Sequence, residues 1–219
     1  DGWLGAIAAK ITRCKVVRTR HLQTPITNKF SYNISDKVVT DSHFVKKALK
    51  EQGVKGEKIV TIHTGVNIRE FNPHVKPQLR QELKLDQEAI LIGMSAVFRY
   101  AKRHDLLVEA VHKLQKLYPH LPLYLVFIGT GPQKKVVEKQ VKLLKMKEER
   151  VVFLGHRKGI PYLLVDLDIC VLPSEMEALG TAIIEASACS VPIVGSSAGG
   201  IPEVVLHGKT GMVFESGNV

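Results

Sequence analysis

The run AILIGMSAV at residues 89–97 is almost wholly apolar, and a similar run, LYLVFIG, follows at residues 123–129. Strands that are apolar on both faces are typical of a parallel sheet covered by helices on each side. Between the two runs, apolar residues recur at helical spacing, at Leu107, Ala110, Val111, Leu114 and Leu117. Together these features predict a βαβ unit, and therefore an α/β fold with an open parallel sheet.

The alternation of strand and helix continues toward the end of the chain. Three shorter apolar stretches predict further strands: VVFLG at 151–155, DICVLP at 168–173 and VPIVG at 191–195. In open parallel sheets, ligands bind beyond the carboxyl ends of the strands. We therefore expect the functional residues in the loops after Val97, Ile128, Leu154 and Leu172.

A smaller pattern of the same kind occupies residues 1–75. It predicts, in order, a helix at 3–11, strands at 14–21 and 36–40, a helix at 43–52 and a strand at 58–63. Asp41 and Ser42 are both candidates for the N-cap of the second helix. The stretch GVNIREFNPHVKP at residues 65–77 is broken by two prolines, as expected of a connector. The sequence thus predicts two α/β domains, at residues 1–75 and 76–219.

Charge is spread unevenly along the chain. The formal net charge is +10 at pH 7, and the first 75 residues hold 13 Lys and Arg against 6 Asp and Glu. Such a basic region favours anionic partners, such as a membrane surface or a phosphorylated substrate, although a solvated basic face is the simpler alternative. Nucleic acid is not expected as a partner, because the sequence has neither zinc-finger spacing nor an aromatic RNA-binding signature.

Composition and cysteine usage are typical of a globular cytoplasmic protein. Hydrophobic residues make up 45% and charged residues 24% of the chain. Cys14, Cys170 and Cys189 are too scattered for a disulfide framework, and their apolar surroundings predict reduced, buried thiols. No apolar run reaches the ~18 residues of a membrane span. The opening DGWLGAIAAK lacks an initiator Met and a basic leader region, so we expect the chain to begin inside a larger protein.

The richest segment in chemistry is PSEMEALGTAIIEASACSVPIVGSSAGGIPEVV at residues 173–205. A strand leads into a loop carrying Glu177, and a helix then begins near Gly180. A loop that feeds a helix N-terminus suits an anion, because free N–H groups and the helix dipole both point outward. Glu185 lies within that apolar helix, where a carboxylate is costly unless it is hydrogen-bonded. Hydrogen bonds from sugar hydroxyls would stabilise the Glu185 carboxylate. The alternative is that Glu185 lies on a solvent-exposed stripe of the helix.

This segment resembles the signature of the retaining GT-B glycosyltransferases of group 1, which include glycogen-synthase-like and lipopolysaccharide-sugar transferases. Their E-G-x-G-x-x-x-x-E motif corresponds to Glu177-Ala-Leu-Gly-Thr-Ala-Ile-Ile-Glu185. Two positions depart from the family pattern, since Ala178 and Ser190 each stand where a Gly is usual. The GGIPEVV and HGKTG stretches that follow are similar to the family as well.

Three other segments agree with this resemblance. FRYAKRHDLL at 98–107 resembles the family's R…K…LL motif, in which Arg99 and Lys102 would neutralise the donor diphosphate. FLGHR at 153–157 resembles the loop that packs against the nucleotide base. VVRTRH at 16–21 resembles the strand end whose His contacts the donor sugar.

The resemblance implies a GT-B fold, with two Rossmann-like parallel-sheet domains that are both truncated in this chain. Residues 1–75 would be the C-terminal part of the acceptor-side domain with the connector. Residues 76–219 would be the nucleotide-sugar donor domain without its last helices.

The resemblance also implies a role for each matching residue. His21 and Glu177 would act at the reaction centre, with Glu177 holding the sugar. The donor diphosphate would be bound by Arg99, Lys102, Leu179, Gly180 and Thr181. The nucleotide and its ribose would be bound by Glu185, Gly155, His156 and Arg157. No metal is implied, and no cofactor beyond the co-substrate, a UDP- or GDP-sugar.

The function implied is transfer of a sugar from this donor to an acceptor hydroxyl with retention of configuration. The acceptor would be a glycan or a lipid-linked molecule such as lipopolysaccharide, and the protein would be cytoplasmic, at the inner face of the membrane. Two alternatives stay open: a nucleotide-sugar epimerase or a phosphorylase of the same fold, and a non-catalytic remnant that binds nucleotide sugar or membrane. No segment suggests the pyridoxal-binding Lys of a phosphorylase.

Overall fold

The computed structural model describes residues 2–22 and 24–218, which form two parallel sheets with helices. The first region contains α1 (Gly2–Ile11), β1 (Val17–Arg20), α2 (Lys29–Asn33), β2 (Lys37–Thr40), α3 (His43–Glu51) and β3 (Ile59–Thr61). Its strands lie in the order β1-β2-β3. The predicted strands and helices of this region are confirmed, with shorter strands than the sequence suggested.

The second region begins with α4 and carries a larger sheet. Its elements are α4 (Leu79–Leu83), β4 (Ile90–Ser95), α5 (His104–Leu117), β5 (Leu123–Ile128), α6 (Lys134–Leu143), β6 (Val151–Gly155), α7 (Ile160–Leu164), β7 (Ile169–Leu172), α8 (Thr181–Ala188), β8 (Ile193–Ser196), α9 (Ile201–Val204) and β9 (Gly211–Phe214). The six strands are parallel and lie in the order β6-β5-β4-β7-β8-β9. The predicted α/β fold is confirmed.

The strand order places a crevice between the carboxyl ends of β4 and β7. From β4 the chain builds outward through β5 and β6, then returns to pair β7 with the other side of β4. The loops after β4 and β7 therefore leave the sheet side by side and turn in opposite directions. Open α/β sheets bind their ligands at such a switch point.

The core explains why the central strands are so apolar. Leu91 and Met94 of β4 and Leu125 and Phe127 of β5 are completely buried. Gly93 of β4 lies so close to the segment between α7 and β7 that a Cβ there would meet the Leu167 side chain at 2.3 Å. Both faces of the sheet are covered, as the continuous apolar runs predicted.

The first region has a much smaller core, a cluster of Tyr32, Val38, Leu49, Val54 and Ile59. Helix α3 is capped at its start by the Ser42 side chain, which accepts a hydrogen bond from the Val45 N–H at 3.1 Å. Asp41, the other candidate for the cap, instead has His21 as its partner.

Some sequence expectations were wrong or incomplete. Cys14 is exposed, whereas Cys170 and Cys189 are buried as expected. Cys14 lies beyond the end of α1, where the chain is open to solvent. The sequence also missed the edge strand β9 and the short helices α2 and α4. Within the described ranges, no helix is both long and apolar enough to cross a membrane.

Candidate active site

The loops after β4 and β7 meet at the switch point. The N–H of Glu175 donates to the Ala101 carbonyl at 2.8 Å, which fastens one loop to the other. The Lys102 ammonium forms an ion pair with the Glu177 carboxylate, and both side chains are largely buried. Two residues from separate sequence motifs, 75 positions apart, are thereby brought together.

The loop after β4 is held in place by the neighbouring loop after β5. The N–H of Phe98 donates to the Thr130 carbonyl at 3.0 Å. A Cβ at Gly129 would lie 2.1 Å from the Ala96 carbonyl oxygen, and one at Gly131 would lie 2.6 Å from that of Phe98. The two glycines thus permit a close backbone approach that fixes the loop bearing the basic residues.

The Glu177 backbone is supported from its other side by Gly199 and Gly200. The Gly200 N–H donates to the Glu177 carbonyl at 3.2 Å. Gly199 has φ +59°, and a Cβ there would lie 1.7 Å from the same oxygen. The GGIPEVV stretch therefore supports the loop that carries the candidate catalytic Glu177. The sequence had shown this stretch only as a motif similar to the family.

Helix α8 begins at the crevice. Gly180 precedes it with φ +96°, a left-handed conformation that favours glycine, and no side chain caps the helix. Leu179 and Gly180 are buried, whereas Thr181 is exposed. The first N–H groups of α8 therefore have no side-chain partner, and with the helix dipole they favour an anion at the helix start.

Arg99 lies on the same loop as Lys102 but is exposed. Across the described ranges, its guanidinium has neither a hydrogen bond nor an ion pair. An Arg side chain that is free to turn can bind a phosphate with two parallel hydrogen bonds.

Glu185 is partly buried in α8, and its carboxylate has no hydrogen-bond partner in the part of the chain that the structure describes. Burial raises the pKa of this carboxyl group, and the charge of Glu70 raises it further. A partly buried acid without a partner is suited to bind hydroxyl groups of a ligand.

The loop after β6 carries the residues expected near the base. Gly155 has φ +70° and accepts a hydrogen bond from the Gly129 N–H at 2.8 Å, which joins this loop to the β5 loop. His156 is exposed. Arg157 forms two hydrogen bonds with Glu82 of α4, at 2.7 and 2.6 Å, which raise the pKa of Arg157 and lower that of Glu82. Its guanidinium is therefore already engaged.

His21 lies at the carboxyl edge of the first sheet, just after β1. Its Nδ1 is 3.2 Å from Oδ2 of Asp41, which follows β2. His21 is mostly exposed, whereas Asp41 is buried, and its other oxygen, Oδ1, has no partner in the described ranges. Sequence reasoning missed this pair, yet the signal existed, because parallel neighbouring strands that end in His21 and Asp41 must bring the two together.

Comparison with known proteins places these features in a family. The model of the group 1 glycosyl transferases matches residues 75–219, and that of glycosyltransferase family 4 matches residues 1–70. A curated relative, N-acetyl-alpha-D-glucosaminyl L-malate synthase of Bacillus anthracis, is 34% identical over 191 residues, which cover 87% of this chain and 49% of the relative. D-inositol 3-phosphate glycosyltransferase of Rhodococcus erythropolis is 27% identical, over 83% of this chain and 42% of the relative.

Solved structures agree with this placement. Anabaena Alr3699/HepE in complex with UDP and glucose superposes with a TM-score of 0.86 at 25% identity, covering 99% of this chain and 62% of that one. A glycosyltransferase from Rickettsia africae superposes with a TM-score of 0.84 at 28% identity, covering 98% and 60%. The chain spans about half the length of the curated relatives it matches. Because the group 1 model covers more than half of its residues, this chain belongs to the group 1 glycosyl transferases and has their GT-B fold.

Proposed function

We propose that this chain takes part in transferring a sugar from a nucleoside-diphosphate sugar to an acceptor hydroxyl, with retention of the anomeric configuration. The crevice between β4 and β7 is the donor site in this proposal. The observation that carries it is the meeting of Lys102 and Glu177 beside the uncapped start of α8. The Lys102 cation, the Glu177 carboxylate and the free N–H groups of α8 would then bind a single ligand that carries both phosphates and hydroxyls.

The diphosphate is the leaving group, so its negative charge grows as the bond to the sugar breaks. Lys102, Arg99 and the N–H groups of Gly180 and Thr181 would stabilise that charge, with buried Leu179 shaping the turn before the helix. In this proposal these groups supply the positive charge that a metal supplies in other enzymes. The ion pair with Glu177 keeps the Lys102 ammonium in place before the donor arrives.

The two glutamates would bind different parts of the donor. Glu177 lies in the loop before α8 and would accept hydrogen bonds from the sugar, while Glu185 lies further along the helix and would accept them from the ribose. Gly155 and His156 would lie beside the base. Arg157 would contribute by holding that loop to α4 through Glu82.

His21 would line the reaction centre from the first sheet, with Asp41 as a positioning residue that holds its ring by Nδ1. In the retaining step, the bond between the anomeric carbon and the phosphate oxygen breaks while the acceptor oxygen bonds to the same face. The acceptor proton passes to the departing phosphate oxygen, so charge and atoms balance. The role of His21 in this step would be to contact the donor sugar.

The names of the relatives and solved structures support a nucleotide-sugar donor and an anionic class of acceptor. Anabaena HepE is complexed with UDP, so we propose a UDP-sugar before a GDP-sugar. Two relatives are named for L-malate and inositol 3-phosphate, which are both anionic. An anionic acceptor, small or lipid-linked, also suits the 13 basic residues within the first 75. A cytoplasmic location at an anionic membrane surface, and a domain boundary near residue 75, belong to the same proposal.

Because this chain alone is expected to lack part of the enzyme's machinery, the function is tested by an NMR assay of the complete protein with a panel of UDP- and GDP-sugars. We expect donor consumption that needs an acceptor, and a product whose anomeric proton keeps the coupling constant of the donor. Inverted coupling would contradict retention. Interconversion of the donor without acceptor would favour the epimerase alternative, and tight nucleotide binding without turnover by the complete protein would favour a non-catalytic binding role.

A further inference from the structure

Outside the crevice, two imidazoles of the first region converge with a carboxylate of the second. His43 begins α3, His63 follows β3, and Glu203 belongs to α9 of the second region. One potential ligand atom from each residue lies within 4.8 Å of the other two. The described ranges contain no other group of three His, Cys, Asp or Glu residues with this geometry.

The carboxylate of this cluster is firmly held. Oε2 of Glu203 accepts the His43 N–H at 2.8 Å, and Oε1 accepts the Phe44 N–H at 2.7 Å, so Glu203 binds the start of α3. Among the residues that the structure describes, Oε1 has only this one partner, so one of its lone pairs is free to bind a metal ion. A ligand held by backbone N–H groups needs little reorganisation to bind a cation.

The imidazoles are open to solvent and close together. The His43 and His63 rings meet edge to face, with centroids 5.3 Å apart and planes at 69°. Nε2 of His63 is 2.9 Å from Oε2 of Glu203. When the His63 proton resides on Nδ1 instead, Nε2 presents a lone pair to the same space. Both rings are exposed, so an ion can reach them directly from water.

We propose that His43, His63 and Glu203 form a binding site for a late first-row divalent metal ion, with Zn²⁺ as its representative. Two imidazole nitrogens and one carboxylate oxygen are ligands that Zn²⁺ prefers, and water completes the tetrahedron. The site takes two ligands from the first sheet region and one from the second. A bound ion therefore clamps α3 and β3 to α9, across 140 or more residues of sequence.

This site is separate from the donor crevice. None of its ligands comes from the loops after β4 or β7. Its link to the crevice is mechanical, because Glu203 lies three residues after Gly200, whose N–H holds the Glu177 carbonyl. The ion orders the interface between the sheets and takes no part in breaking the donor bond.

Calorimetric titration of the chain with ZnCl₂, in a buffer that does not bind metal, tests the site. We expect one ion per chain, and a loss of affinity of about tenfold or more in both His43→Ala and His63→Ala. His43→Ala is the sharper variant, because it removes a ligand but retains the backbone N–H that Glu203 accepts. His120→Ala, at another exposed histidine, is the matched control and should bind as the parent does.

Co²⁺ absorption and thermal unfolding provide readouts that a misfolded variant cannot imitate. The parent should show the visible bands of tetrahedral Co²⁺ and a Tm that rises with Zn²⁺ concentration, and His43→Ala should lose both while keeping the parent circular dichroism. The proposal fails if the parent binds no Zn²⁺. It also fails if the His43→Ala and His63→Ala variants bind Zn²⁺ as tightly as His120→Ala. The contact between His63 and Glu203 would then be a hydrogen bond without a metal-binding role.

Discussion

The two sheets hold their candidate site residues in different ways. In the second region, a six-stranded sheet and its helices pack into one continuous core. Backbone hydrogen bonds between the loops after β4, β5 and β7 fix the positions of Lys102 and Glu177. In the first region, a three-stranded sheet carries a core cluster of only five buried apolar residues, and His21 is held by a single carboxylate at 3.2 Å. The second region therefore fixes its candidate residues through packing and backbone contacts, whereas the first region holds its His through a polar contact.

The largest expected difference concerns stability. Leu125→Ala in the second core should lower the free energy of unfolding by about 2–5 kcal/mol, since the wholly buried side chain leaves a cavity. Leu49→Ala in the first core should cost less, because its small cluster can collapse toward solvent. Urea denaturation followed by circular dichroism measures both losses.

Exposed Leu117→Ala is the control for that experiment and should change stability by less than about 0.5 kcal/mol. Equal losses for Leu125→Ala and Leu49→Ala would break the comparison, since the small core would then be as rigid as the large one.

The next largest effect concerns His104, which stacks on Phe98 with ring centroids 4.0 Å apart. Burial lowers its pKa to about 4 from 6.5, although the nearby Ala96 backbone favours the charged form. The unfolded chain therefore binds the proton more tightly, and stability is lost as pH falls from about 6.5 to about 4. The loss is at most about 3 kcal/mol.

Urea titrations at pH 7 and pH 4.5 test this pH dependence. His104→Leu should flatten the difference between the two pH values, and His120→Leu, at an exposed position, should not. If the stability of the parent chain does not change over this range, His104 is accessible to solvent and the second core is loosely packed around it.

The sequence predicted the large second region better than its edges and its long-range contacts. The strands of the second region and the loops at its crevice were predictable, because buried parallel strands must be apolar on both faces. Edge strand β9 was not, since an edge strand alternates between core and solvent and its four residues carry little pattern. The pairing of Arg157 with Glu82 was also missed, because a contact 75 residues apart leaves no local signal.

A third prediction addresses the donor charges. Arg99→Ala and Lys102→Ala should each weaken UDP binding by about 1.5–3 kcal/mol, roughly 10- to 150-fold, through loss of a charged hydrogen bond. Calorimetric titration with UDP and GDP measures this. Lys147→Ala, an exposed Lys before β6 at the opposite edge of the sheet, is the control.

The same titration sharpens the comparison between the sheets. Lys47→Ala on α3 of the first region should leave UDP affinity unchanged. Unchanged affinity in both Arg99→Ala and Lys102→Ala would remove the β4 loop from the donor site.

The smallest effect separates the two glutamates of the crevice. Glu185→Gln keeps the shape and one acceptor oxygen, so it should raise the donor KM by about fivefold, equivalent to about 1 kcal/mol, with kcat nearly unchanged. Glu177→Gln should lower kcat more than it changes nucleotide affinity, because contacts to the departing sugar strengthen in the transition state. Steady-state kinetics of both variants with one donor decide between these roles. If Glu185→Gln melts the fold by circular dichroism while the donor KM of its folded fraction stays unchanged, Glu185 belongs to the core of the second region. The ribose would then be held by other residues.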